Sequence, residues 1–116
     1  MQGQFIRFYL HEGNLHRGRP LWEWLLEQAR NLGIGGGSAF KAMAGFGRHR
    51  VLHESRFFEL GGELPVEVEF VATDAQAQRL LDLLQAEKIE IVYAVVPARF
   101  GVSGKDAGEA AAVAWD

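Results

Sequence analysis

Apolar and polar positions alternate over residues 4–10. Ile6, Phe8 and Leu10 fall on one side, and Phe5, Arg7 and Tyr9 on the other. A period of two is the mark of a β-strand. It returns over residues 65–72, where Val66, Val68 and Phe70 oppose Glu67 and Glu69. Residues 89–96 are apolar on both faces, and residues 38–46 read as a strand of small residues centred on Phe40 and Met43. Two segments follow the helical period instead. Pro20 stands at a first helical position, followed by the stripe Leu21, Leu25, Ala29 and Leu32, widened by Trp22 and Leu26 and stopped by Gly33. Thr73-Asp74-Ala75-Gln76 spells a capping box, and Ala77, Leu80, Leu81 and Leu84 continue the apolar face.

The order is strand, helix, strand, long loop, strand, helix, strand. It predicts an α+β, ferredoxin-like βαββαβ sandwich, an antiparallel sheet with two helices on one face. The polar run HEGNLHRGR (11–19) reads as a loop, and residues 47–64 as a long loop whose middle, 51–60, extends as a ribbon before Gly61-Gly62. The domain spans residues 1–99, and a Gly/Ala-rich tail follows over 100–116, with Trp115 as its natural anchor. Two helices cover one face of such a sheet. With Ile89, Ile91, Tyr93 and Val95 toward the helices, Val92, Ala94 and Val96 face away beside Phe5 and Tyr9. A greasy second face marks an interface, so an oligomer packed sheet to sheet is expected. Trp22 is expected in the core, and Trp24 exposed or at a subunit contact.

Composition narrows the function. Of 116 residues, 48% are hydrophobic, enough for a core, and the net charge of −3 without a basic run argues against nucleic-acid binding. No 18-residue apolar run is present to span a membrane, and with three residues ahead of the first strand no signal peptide is expected. The absence of cysteine excludes thiolate chemistry and fits a cytoplasmic protein.

Against that acidic background, Gly45-Phe46-Gly47-Arg48-His49-Arg50 stands out. Arginine beside flexible backbone suits a bound anion, though solvated loop charges look the same. His11, His16, His49 and His53 offer scattered metal-type ligands without a helical frame for His49 and His53, and surface histidines are the commoner reading. Gly33-Ile34-Gly35-Gly36-Gly37-Ser38 lacks the nucleotide-fingerprint spacing and follows a helix, so it reads as a helix stop and linker, and Gly101 to Lys105 lacks the P-loop spacing. Glu63, Glu67 and Glu69 have no nucleophile near them in sequence and read as an acidic strip.

The strand running into Gly-Phe-Gly-Arg, the long loop and then LPVEVEFV (64–71) resemble the PII signal-transduction superfamily. The run from Phe5 through Gly18-Arg19-Pro20-Leu21 to Leu32-Gly33 resembles its poorly characterised bacterial and archaeal PII-like branch, over roughly residues 4–99. The resemblance implies a homotrimer whose sheets enclose a barrel-like core. It also implies clefts between subunits that take adenine nucleotides, with Gly45, Phe46, Gly47, Arg48 and Arg99 as the ligand-binding residues. It further implies a protein partner, a transporter or an enzyme, met through the 47–64 loop, with no catalysis and no cofactor. The superfamily's glycine-rich phosphate loop is absent, since the junction is only Gln85-Ala86-Glu87-Lys88, so a smaller anion or a nucleoside monophosphate is expected rather than ATP. No tyrosine lies between residues 47 and 64 for nucleotidylation. Two alternatives stay open: a trimeric metal-binding module using the loop histidines, and an acylphosphatase-like hydrolase with Arg17 or Arg19 holding phosphate.

Overall fold

The computed structural model describes residues 1–46, 53–54 and 64–104. Four strands form one sheet: β1 (Gln2–His11), β4 (Gly37–Lys41), β7 (Pro65–Thr73) and β8 (Val92–Arg99), in the order β4-β7-β1-β8 with antiparallel neighbours throughout. Helices α1 (Leu21–Asn31) and α2 (Asp74–Ala86) lie on one face. The ferredoxin-like sandwich expected from the sequence is the fold.

The alternation on β1 decides the layering. Ile6, Phe8 and Leu10 point at the helices and are buried with Val66, Val68, Phe70 and Ala72 from β7. Leu25 and Leu80 close this layer from α1 and α2, and the Phe8 and Phe70 rings meet edge to face at 6.2 Å. Gly37 admits Phe70 to the layer, because a Cβ there would lie 2.3 Å from its ring.

The helix ends follow from local chemistry. Thr73 Oγ1 accepts from the Gln76 N–H (3.1 Å) while Gln76 Oε1 accepts from the Thr73 N–H (2.9 Å), completing the capping box. Gln76 Nε2 also donates to the Gly33 carbonyl (2.9 Å), fastening the start of α2 to the end of α1. Gly33 ends α1 at φ +85. Lys88 plays that part after α2 at φ 57, with the Ile89 N–H reaching back to the Leu84 carbonyl at 3.0 Å. At the far end of the sheet, the backbones of Met1 and Phe100 exchange hydrogen bonds of 2.8 and 2.9 Å.

Several expectations need correction. Pro20 is the N-cap of α1, not its first residue. Trp24 is in the core rather than exposed, at only 6% exposure, because the buried arc of α1 runs through Leu21, Trp24, Leu25 and Ala29, while Trp22 packs half-buried against that core. The run 11–19 holds a small hairpin, β2 (Leu15–His16) with β3 (Arg19–Pro20), turning through Arg17 and Gly18 at φ 54 and 79. The strand expected over 38–46 breaks after Lys41. The chain then leaves the sheet, and β5 (Ala44–Gly45) pairs with β6 (His53–Glu54) as a separate ribbon, leaving Met43 85% exposed. Ile89 and Ile91 precede β8 rather than sit in it. Trp115 and the tail beyond residue 104 lie outside the described residues.

The face away from the helices carries Phe5, Arg7 and Tyr9 in register with Val96, Ala94 and Val92 on β8 and with Val71, Glu69 and Glu67 on β7. Arg7 Nη2 lies 2.9 Å from Glu69 Oε2, and Arg7 Nε lies 3.8 Å from Glu67 Oε2. The Arg7 guanidinium also stands 5.5 Å from the Phe5 ring centre. The hydrogen bond to Glu69, then those from neighbouring groups, raises the Arg7 pKa above its ordinary value. Phe40, Tyr9, Val92 and Val96 remain exposed around this ion pair.

Two substitutions check the caps by urea unfolding. Thr73→Ala is expected to cost about 1 kcal/mol. Lys88→Gly is expected to raise stability by about 0.5 kcal/mol, because glycine relieves the left-handed backbone at more than its entropic cost.

Candidate functional site

One end of the sheet gathers three strand ends. The Glu12 N–H donates to the Leu64 carbonyl (2.7 Å), and the Ala42 N–H to the Pro65 carbonyl (2.8 Å). Lys41 Nζ bridges to Glu12 Oε1 at 2.9 Å. These bonds hold the ends of β1 and β4 against the start of β7, so the long excursion after Phe46 departs from a fixed platform. Asn14 completes the platform. Its N–H donates to the His11 carbonyl (3.0 Å), its Oδ1 accepts from the His11 N–H (2.7 Å), and its carbonyl accepts from the Leu21 N–H (2.8 Å).

A cleft of about 640 Å³ opens over this platform. Gly45 and Phe46 form one wall and Glu90, Ile91 and Val92 the other; Tyr9, His11 and Asn14 lie between them. Phe46 is 71% exposed, an aromatic surface at the mouth. The charged groups of the described lining are Glu67 and Glu90, with His11 as a further titratable group, and no lysine or arginine is among them. An anion held here therefore needs cations from elsewhere.

The expected site residues divide accordingly. The fold brings Gly45 and Phe46 into the cleft. Gly47 and Arg48 lie outside the described residues. Arg99 does not join them in one protomer, because β8 starts with Val92 at the cleft and reaches Arg99 seven residues later, about 23 Å along the strand. There it lines a different groove with Gln2, Gln4 and Asp74. Sequence reasoning did not bring Tyr9, Asn14 and Glu90 to a site, and it named His11 only among scattered metal-type ligands. Their common signal is topological: each lies at or just beyond a strand end that the βαββαβ order puts at the root of the long loop.

The other candidates disperse. His16 packs its ring against Trp24 at 4.6 Å and lies 3.7 Å from Glu87. His49 lies outside the described residues, and of His53 only the backbone is described. Among the described residues no three metal-ligating side chains cluster. Arg17 pairs with Glu87 at 2.9 Å, and Arg19 pairs with Glu23 and Glu27, so each guanidinium already has a carboxylate partner. The glycine run 33–37 is the helix stop and linker expected of it. No helix among the described residues is long and apolar enough to cross a membrane.

The architecture is an α+β, ferredoxin-like fold with a cleft at the end of the sheet where β1, β4 and β7 are tied together. The chain belongs to the DUF190 family (Uncharacterized ACR, COG1993), whose model matches residues 3–96. It is 29% identical to the UPF0166 protein of Aquifex aeolicus (strain VF5) over 98 residues, 78% of this chain and 93% of that one. Its fold is similar to CPII, a nitrogen regulatory PII-like protein from Thiomonas intermedia K12 solved with ADP, AMP and bicarbonate. The TM-score is 0.61 at 17% identity, covering 84% of this chain and 87% of the other. The divalent ion tolerance protein CutA1 from Ehrlichia chaffeensis is more distant, with a TM-score of 0.54 at 9% identity over 97% of this chain and 94% of that one.

Asn14→Ala removes the side-chain acceptor for the His11 N–H. It is expected to cost about 1 kcal/mol, read as a lower urea midpoint with an unchanged slope.

Proposed function

We propose that the protein is a PII-like regulatory protein of the cytoplasm. It works as a homotrimer that binds a small anionic ligand, an adenine nucleotide with a short phosphate chain, and acts on a protein partner through the 47–64 loop rather than by catalysis. The observation that carries this reading is the cleft at the root of that loop, built from Gly45 and Phe46 on one side and Glu90 to Val92 on the other. The CPII structure with ADP and AMP supports it as a fold relative. The acidic lining supports a ligand with few phosphates, since each added charge would face Glu67 and Glu90.

In this reading Arg48 reaches the phosphate from the loop, and Arg99 reaches it from a neighbouring copy. The exposed apolar face of β1 and β8 supports the assembly. Val96 is 56% exposed there, and burying such a surface is favourable by about 25 cal/mol per Å². Ligand contacts that order the loop would expose or hide its docking surface.

Thermal unfolding tests the ligand. Wild type at a hundredfold excess of AMP or ADP over Kd gains about 2.7 kcal/mol. Arg48→Ala is expected to lose that gain and remain a trimer by sedimentation. Equal gains in both proteins remove Arg48 from the site. Zinc and copper belong in the same titration: tight zinc binding lost in His49→Ala, with no response to any nucleotide, replaces this reading with the metal-binding one. Val96→Glu tests the assembly and is expected to yield monomers. A wild-type protein that sediments as a monomer defeats the sheet-to-sheet trimer.

A further inference from the structure

The connection between α2 and β8 (residues 87–91) supplies one wall of the cleft, yet the phosphate-binding glycines of the PII superfamily are missing from it. Its placement has another source. Glu87, the C-cap of α2, is approached by two side chains of the β2–β3 hairpin. Arg17 Nη2 lies 2.9 Å from its Oε2, and His16 Nε2 lies 3.7 Å from its Oε1. Arg17 and Lys88 are the two non-glycine residues with left-handed backbone among those described, one in each of the segments that meet at Glu87. Strain of this kind persists only where the surroundings over-determine it.

A second cavity, of about 260 Å³, lies under this contact and shares Asn14, Glu90 and Ile91 with the cleft. The wall between the two is thus shared by two segments of chain, one on each side. One side of it, Asn14, is pinned by three hydrogen bonds. The other side, Glu90 and Ile91, follows Glu87. The contact is also unfinished. His16 Nε2 is buried with no hydrogen-bond partner, and an approach of about 0.5 Å would bring Glu87 Oε1 into bonding range.

We propose that Glu87 is a positioning residue for the cleft. Gripped by Arg17 and His16, it sets where Glu90 and Ile91 stand, and a ligand in the cleft presses that wall toward the hairpin and closes the His16–Glu87 contact. Hairpin seating and ligand binding are then coupled. The proposal rests on the cleft reading above, and its test separates the two.

Trimeric full-length protein is titrated with AMP and with ADP by calorimetry, and amide exchange at residues 88–91 is followed without ligand. Glu87→Gln is expected to weaken binding about fivefold while the melting temperature stays close to wild type, since an ion pair this exposed adds little to stability. His16→Phe keeps the ring against Trp24 and removes the nitrogen, and is expected to weaken binding in the same direction. The reversed pair, Arg17→Glu with Glu87→Arg, is expected to restore affinity that either single change loses. Wild-type affinity in Glu87→Gln overturns the proposal, as does a loss that merely follows melting temperature or the absence of restoration in the reversed pair. A wild type that takes up neither nucleotide overturns the cleft reading and the coupling together. The hold on the wall is then read from exchange alone: faster at residues 88–91 in Glu87→Gln sustains it, and unchanged exchange overturns it.

Discussion

The structure depends on the central position of β1. It pairs along its length with β7 on one side and β8 on the other, and its alternate residues feed two different environments. Ile6 and Phe8 lie in the fully buried layer under the helices. Phe5, Arg7 and Tyr9 fill the opposite face. A shift of one residue would exchange the two sets, driving Arg7 into the core and Phe8 out of it, so the hydrophobic pattern alone enforces the register.

That register also places the chemistry. Once Tyr9 is opposite Glu67 and Val92, the ends of β1 and β4 and the starts of β7 and β8 meet at one end of the sheet. The loop root is then held by backbone hydrogen bonds and the Lys41–Glu12 pair beside the buried Leu10, Leu64 and Val66. Paired backbone of this kind gives the cleft a fixed floor. The open face combines an ion pair with a ring of exposed apolar residues, the mixed surface expected of an interface that must match a specific partner.

Legibility in the sequence tracked the strength of the local signal. β1 and β7 were readable because large apolar residues alternate with charged ones, and α2 because Thr73 and Gln76 cap each other. The break after Lys41 was not, since Ala42 and Ala44 are too small to fix a side and the chain's departure is set by the Pro65 carbonyl and the ribbon partner at 53–54. The β2–β3 hairpin was hidden because arginine occupies a turn position where glycine or asparagine would announce it. Trp24 was misplaced because the apolar stripe of α1 is wide enough for either tryptophan, and its burial depends on the β2–β3 hairpin, which packs His16 against it and was not foreseen. Of the site, the glycine-phenylalanine root was visible in sequence. The wall at Glu90 was not, because it comes from a segment with no motif of its own.

The reciprocal bonds between Met1 and Phe100 bring residues 1 and 100 to a single corner, at the opposite end of the sheet from the cleft. A short linker could close the body into a ring there, and new termini could be opened elsewhere on its surface without disturbing the sheet order. Within one copy of the chain, a fluorophore attached at that corner would sit a strand's length from the loop root and beside Arg99.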